Sequence, residues 1–113
     1  MSKIPTYQPI LTLSVNSITD IPVGRFVEAT GRLCRAGAKS LGVSEIESVA
    51  GEIVPVITIG TCLVLANDNI SVGMDLSSNS TGMAIPYDSG YFMNGVALTS
   101  AIAGEYVKVL LRP

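Results

Sequence analysis

The chain has no histidine and no tryptophan, only two cysteines, and only four tyrosines and two phenylalanines in 113 residues. Without histidine the commonest general base and the commonest metal ligand are both missing. Neither a zinc site nor a Cys-His nucleophile can then be built in cis around Cys34 and Cys62, which also lack metal-ligand spacing. Both thiols sit in apolar surroundings, where a free cysteine behaves as a small hydrophobe, and both are expected to be buried and unpaired. Charge is scarce too, at 14% of residues against roughly 25% in an average soluble domain. The arginines and lysines are scattered and the net charge is -2, so no basic stripe exists to displace counterions from nucleic acid. No apolar run approaches the ~18 residues of a membrane span, and Met1-Ser2-Lys3-Ile4-Pro5 lacks the basic start and apolar run of a signal peptide. The chain is therefore expected to be made in the cytoplasm and to bind neither membrane nor nucleic acid directly.

The groups that remain make no catalytic constellation. Glu45 and Glu47 would share a face if residues 43–48 were extended, and Asp68 and Asp75 flank a turn. Both pairs lie among Ser, Asn and Gly and read as solvated surface charge. Asn67-Asp68-Asn69 lacks the later Gly and the bidentate Glu of a calcium loop. Gly82, Gly90 and Gly95 are not followed by a helix start or by Lys-Ser/Thr, so no phosphate loop is present. Lys39 lies before the Gly42 turn and not at a symmetric hairpin tip, which argues against a lipoyl or biotinyl attachment point. No catalytic, cofactor-binding or metal residue is nominated, and the chain is expected to work by binding and assembling.

What the sequence does contain is β-structure. Short runs rich in Val, Ile and Thr are broken by eleven glycines and six prolines, the pattern of a sandwich or barrel. Ile10 to Val15 alternates with Leu11, Leu13 and Val15 on one face, and Tyr106 to Leu111 alternates with Val107, Val109 and Leu111 on one face, so each predicts a half-buried strand. Val54 to Ala66 is almost wholly apolar and should be the centre of the core, with Gly60 as a bulge or bend dividing two strands.

An internal repeat organises the whole. Ile21-Pro22-Val23-Gly24 matches Ile70-Ser71-Val72-Gly73, Gly42-Val43 matches Gly95-Val96, and Ala50-Gly51-Glu52 with Val54 and Val56 matches Ala103-Gly104-Glu105 with Val107 and Val109. The offset grows from 49 residues (21 to 70) to 53 (42 to 95), which places an insertion of about four residues in the loop from Ser77 to Thr81. Two similar β units, about 21–58 and 70–111, are thus expected to pack into one domain spanning 10–113. Two repeats are too few for a solenoid, so a closed barrel with no exposed sheet edge is the expected outcome. Residues 1–9, with Pro5 and Pro9 interrupting any ladder, read as a flexible N-terminal arm.

In the order Gly24-Arg25-Phe26-Val27, Gly31, Ala36-Gly37, Ala50-Gly51-Glu52, Val72-Gly73-Met74-Asp75-Leu76, and Gly95-Val96-Ala97-Leu98 through Ala103-Gly104-Glu105-Tyr106 to Leu111, the chain resembles the bacteriophage head decoration, or capsid cement, proteins. The likeness covers roughly residues 10–111. It implies an all-β fold, a compact β barrel or β-tulip-like form. It also implies self-assembly, as a homotrimer or otherwise a dimer, and a place on the outer capsid surface of the virion, bound to the major capsid protein. The arm residues Lys3, Ile4, Pro5, Thr6, Tyr7 and Gln8 are the expected capsid contacts, with Tyr87, Asp88 and Tyr91 as exposed loop contacts. A second reading is a carbohydrate- or protein-binding module displayed on a virion, in which Tyr87 and Tyr91 would stack on a sugar.

Overall fold

The almost wholly apolar run in mid-sequence becomes the spine of the domain, a single strand β4 from Ile53 to Leu65. In the computed structural model, which describes residues 9–111, this strand is not divided at Gly60 as the sequence suggested. It runs through, but Gly60 takes φ +120°, a conformation open to a residue without Cβ, and the strand changes partners there. Before Gly60 it is flanked by β1 (Pro9–Asn16) and β3 (Gly42–Ser44); after it, by β8 (Tyr106–Leu111). One long strand therefore serves two sheets' worth of neighbours.

The remaining strands are short: β2 (Phe26–Val27), β5 (Asp75–Ser78), β6 (Ala84–Pro86) and β7 (Gly95–Ala97). All named pairings are antiparallel, in the order β2-β3-β4-β8-β7-β5-β6, with β1 added alongside β4. The two ends of this path approach each other. The Phe26 N–H donates to the Gly82 carbonyl at 2.8 Å, and Ala84 bridges Ala66. The result is a nearly closed barrel without a helix among the described residues.

Backbone hydrogen bonds reproduce the repeat bond for bond. Ile21 and Ser48 exchange N–H to carbonyl bonds as Ile70 and Ala101 do, Ile18 donates to Gly31 as Asn67 does to Ala84, and Leu41 donates to Val27 as Asn94 does to Leu76. The offset is 49 residues up to Leu76 and 53 from Ala84 on, which puts the insertion in the β5–β6 turn, where the sequence located it. Both hairpin tips close alike. Gly51 and Gly104 have φ of +94° and +92°, and Glu52 and Glu105 turn their carboxylates back to accept the N–H of Val49 and Ile102 at 2.9 and 3.1 Å. The repeat also reaches further back than residue 21. The pair Val15–Val54 of β1 and β4 corresponds to Val64–Val107 of β4 and β8, so β4 closes the first unit and opens the second.

The core falls into two clusters. Ile21, Val27, Val54 and Val56 fill the first unit alone. The larger cluster joins Phe26, Cys34, Val43 and Ile57 of the first unit to the whole interior of the second, including Val64, Leu76 and Val107. Each such side chain contributes roughly 1.5–3 kcal/mol on full burial. β1 departs from expectation. Val15 packs on the first cluster, but Leu11 and Leu13, expected to be half-buried, are 42% and 41% exposed. The strand has β4 as its one named strand partner.

Candidate functional site

The six arm residues named from the sequence, Lys3 to Gln8, lie outside the described residues. Pro9, assigned to the arm, is instead the first residue of β1. The second candidate group is described. Tyr87 is exposed at the end of β6, and Asp88 begins a turn in which Tyr91 N–H donates to its carbonyl at 3.0 Å and Ser89 N–H to its carboxylate at 2.8 Å. Tyr91 is half-buried, with its ring against Gly37 of the other unit, where an added Cβ would come within 2.7 Å of it. Tyr91 thus fastens the two units together, while Tyr87, Phe92 and Met93 face solvent. A sugar platform built from both tyrosines is not what this turn presents.

The carboxylate pairs stay apart from any chemistry. β3 ends at Ser44 and the chain then bends, so Glu45 and Glu47 are not neighbours on one extended face. Among the described residues no group of three or more His, Cys, Asp or Glu is placed to hold a metal ion. Cys34 and Cys62 are both buried and unpaired, and desolvation pushes the Cys62 thiol up to about 12 and the Cys34 thiol upward as well.

One polar feature escaped the sequence reading. Glu28, nearly buried, accepts three bonds from Arg35: from Nε and from the backbone N–H to Oε2, both at 3.0 Å, and from Nη2 to Oε1 at 3.2 Å. The guanidinium bonds outweigh burial and hold the Glu28 carboxyl below its ordinary value. Spacing of seven residues on two loop segments carries no helical or strand signal, which is why it was missed. A depressed folded-state value means stability that is present above the unfolded value of about 4.3 and is lost as pH falls through the folded one. The wild type should therefore weaken below about pH 4.5, and Glu28→Gln should flatten that limb in urea titrations. At pH 7 the variant should lose about 1 kcal/mol, the screened worth of a pair with one exposed partner. An equal acid limb in both proteins would exclude the pair as its source.

Depressions mark the surface among the described residues. One, of about 160 Å³, lies at the seam between the units, lined by Val23, Gly24, Ile57, Cys62, Leu63 and Tyr106 among others. Another, of about 220 Å³, is lined by Lys39, Gly42, Thr58, Met93, Asn94 and Gly95 among others. Both fall short of the ~300–1,000 Å³ of ordinary small-molecule sites. The surface is otherwise notable for exposed aliphatic residues. Ile10, Leu11 and Leu13 are exposed along β1, Ile53 at the start of β4, and Val72 and Leu98 on the second unit. Broad apolar strand faces with only shallow depressions suit a protein that acts through its surface.

The described residues form a small all-β domain of the nearly closed barrel class. A family model for phage cement proteins matches residues 4–113, and the chain belongs to that family. Among solved structures, the N base of the head fiber gp8.5 of bacteriophage phi29 has the same fold, with a TM-score of 0.74 at 18% identity over 90% of this chain and 93% of that one. No curated protein matches. Family membership gives the chain a structural role at a phage head.

Proposed function

We propose that the protein decorates the outer surface of a phage head and stabilises contacts between neighbouring major capsid protein subunits, to which its N-terminal segment binds. The observation that carries this reading is the match to phage cement proteins along nearly the whole chain, 4–113. The surface described above supports it: shallow depressions, few charges, and an exposed apolar strand into which the N-terminal segment leads directly at Pro9. A segment that extends a sheet edge onto a neighbouring subunit gains backbone hydrogen bonds there, and attachment through several copies at once multiplies modest contacts into firm retention. Synthesis in the host cytoplasm and assembly as a small homo-oligomer, a trimer foremost, accompany this reading.

The test is to mix the purified protein with expanded heads lacking it, pellet the heads, and measure bound copies at saturation. Saturation at a number matching the capsid's symmetry sites is expected. Removal of residues 1–8, which spares β1, should abolish binding with the barrel's unfolding transition unchanged. Full binding by the truncated protein would move the contact onto the barrel, and no saturable binding by the intact chain would sink the proposal.

A further inference from the structure

We infer that copies of this chain join head to tail, the exposed face of β1 in one copy docking on the second unit of the next, much as the two units of one chain already dock on each other. The inference deepens the assembly reading above by naming the partner for a surface that reading leaves bare.

The seam inside the chain shows the contact. The first unit brings Gly24 against the second half of β4, where Leu65 N–H donates to the Gly24 carbonyl at 2.9 Å. Tyr106 lies so close that a Cβ on Gly24 would come within 2.7 Å of its ring, and Cys62 is sealed beneath. This seam has a direction. Phe26 N–H donates to Gly82, Gly37 N–H to Ser78 and Phe92 N–H to Gly37, yet among the described residues none of the reciprocal bonds required by a two-fold axis is formed. The units meet through different faces, so each keeps one face unused.

The repeat identifies the unused faces. At an offset of 49, Gly24 corresponds to Gly73, Cys62 to Leu13 and Leu65 to Asn16; at 53, Tyr106 corresponds to Ile53. Within one chain these counterparts are not joined. Nothing lies within 4 Å of a Cβ on Gly73, and Leu13, Ile53 and the neighbouring Val72 are exposed. Leu13 stands opposite Val56 as Cys62 stands opposite Val109, so the face of β1 that leaves Leu13 41% exposed is the one its counterpart buries.

Two features point to a second copy as the occupant. An exposed edge strand is ordinarily blunted by charge, proline or bulges; β1, Pro-Ile-Leu-Thr-Leu-Ser-Val-Asn, has no charge, and its proline and its register shifts all lie before Leu13. And the surface known to cover the equivalent strand is a unit of this same fold. Where the internal seam has Glu45, the second unit offers the exposed aliphatic Leu98. The copied seam is not complete, since Asp75 stands in place of Phe26, so the joint between chains lacks the aromatic that anchors the joint within one. A contact between unlike faces closes into a ring when its rotation permits, and Asn16 N–H would then donate to the Gly73 carbonyl of the neighbouring copy.

Sedimentation of the full chain tests this with two single variants, Leu13→Glu and Val72→Glu, both at exposed positions and both checked for an unchanged unfolding transition. The wild type should associate and each variant alone should be monomeric. An equimolar mixture should form a 1:1 dimer and stop there, because one variant keeps an intact second-unit face and the other an intact β1. If the Val72→Glu variant associates by itself, β1 pairs with β1 and the inference fails. It fails as well if the wild type is monomeric. Head binding is scored separately, so monomeric variants that still saturate heads leave the cement reading standing, and associating protein that ignores heads leaves this inference standing.

Discussion

Replacing Gly31 with alanine is expected to remove about 3 kcal/mol or more from the folding free energy, against a total of about 5–15 kcal/mol for a domain of this kind. Two costs combine. Gly31 has φ +90°, where a side chain costs about 1–3 kcal/mol, and its Cβ would collide with the carbonyl oxygen of Asn16. That oxygen belongs to the backbone at the end of β1, in a segment tied down by Ile18 N–H to the Gly31 carbonyl at 2.9 Å and Ser17 N–H to the Glu52 carbonyl at 2.8 Å, so it cannot swing aside as a side chain would. Gly51→Ala is the comparison. Its φ is +94°, but it faces open space, and only the conformational cost of about 1–2 kcal/mol should appear. Urea unfolding of the two variants separates the effects. Equal losses would mean that the Asn16–Ser17 segment yields easily and that the close approach of backbone to backbone does little to hold the first unit.

Phe26→Ala should rank with it, at about 3–5 kcal/mol. Phe26 is the largest of the fully buried side chains and belongs to the cluster that joins the two units. Its removal leaves a void bordered by strands from both units, each fixed by its own ladder and unable to collapse inward. Phe92→Ala, at an exposed position, should stay within about 0.5 kcal/mol of wild type. A small loss for Phe26→Ala would show that the seam is held by its backbone bonds and not by packing.

These two positions also show what could be read from the sequence. Residues that shape the backbone recur between units because the same turns recur. Gly24 and Gly73, Gly42 and Gly95, and Gly51 and Gly104 all announced themselves, and with them the barrel and the place of the insertion. Apart from Val23 and Gly24, residues at the seam do not recur, because the two units use different faces there. Phe26 is matched by Asp75 and Glu45 by Leu98, so comparison of the halves is silent where they touch. The same asymmetry misled the reading of β1: alternation in Ile10 to Val15 correctly gave a strand, but alternation says which residues share a face and not whether anything lies on it. A further signal was present. Ile10, Thr12 and Val15 match Ile59, Thr61 and Val64 at the offset of 49, which would have carried the repeat through β1 and shown that β4 belongs to both units. The Glu28–Arg35 pair had no such signal, since it depends on how two loop segments fold past each other.

The sharing of β4 bears on how the chain folds and how long it stays folded. Its ladders with β1 and β8 join residues far apart in sequence, Val15 to Val54 and Val64 to Val107, separations of 39 and 43 residues, so long loops must close before these two ladders reward the closure. Topologies of this sort reach the native state in milliseconds to seconds, not microseconds. Once formed, neither unit can come apart without stripping a strand from the other. The two repeats therefore melt as a single cooperative block and not as independent modules, and partial openings that would leave one half exposed to proteases are suppressed.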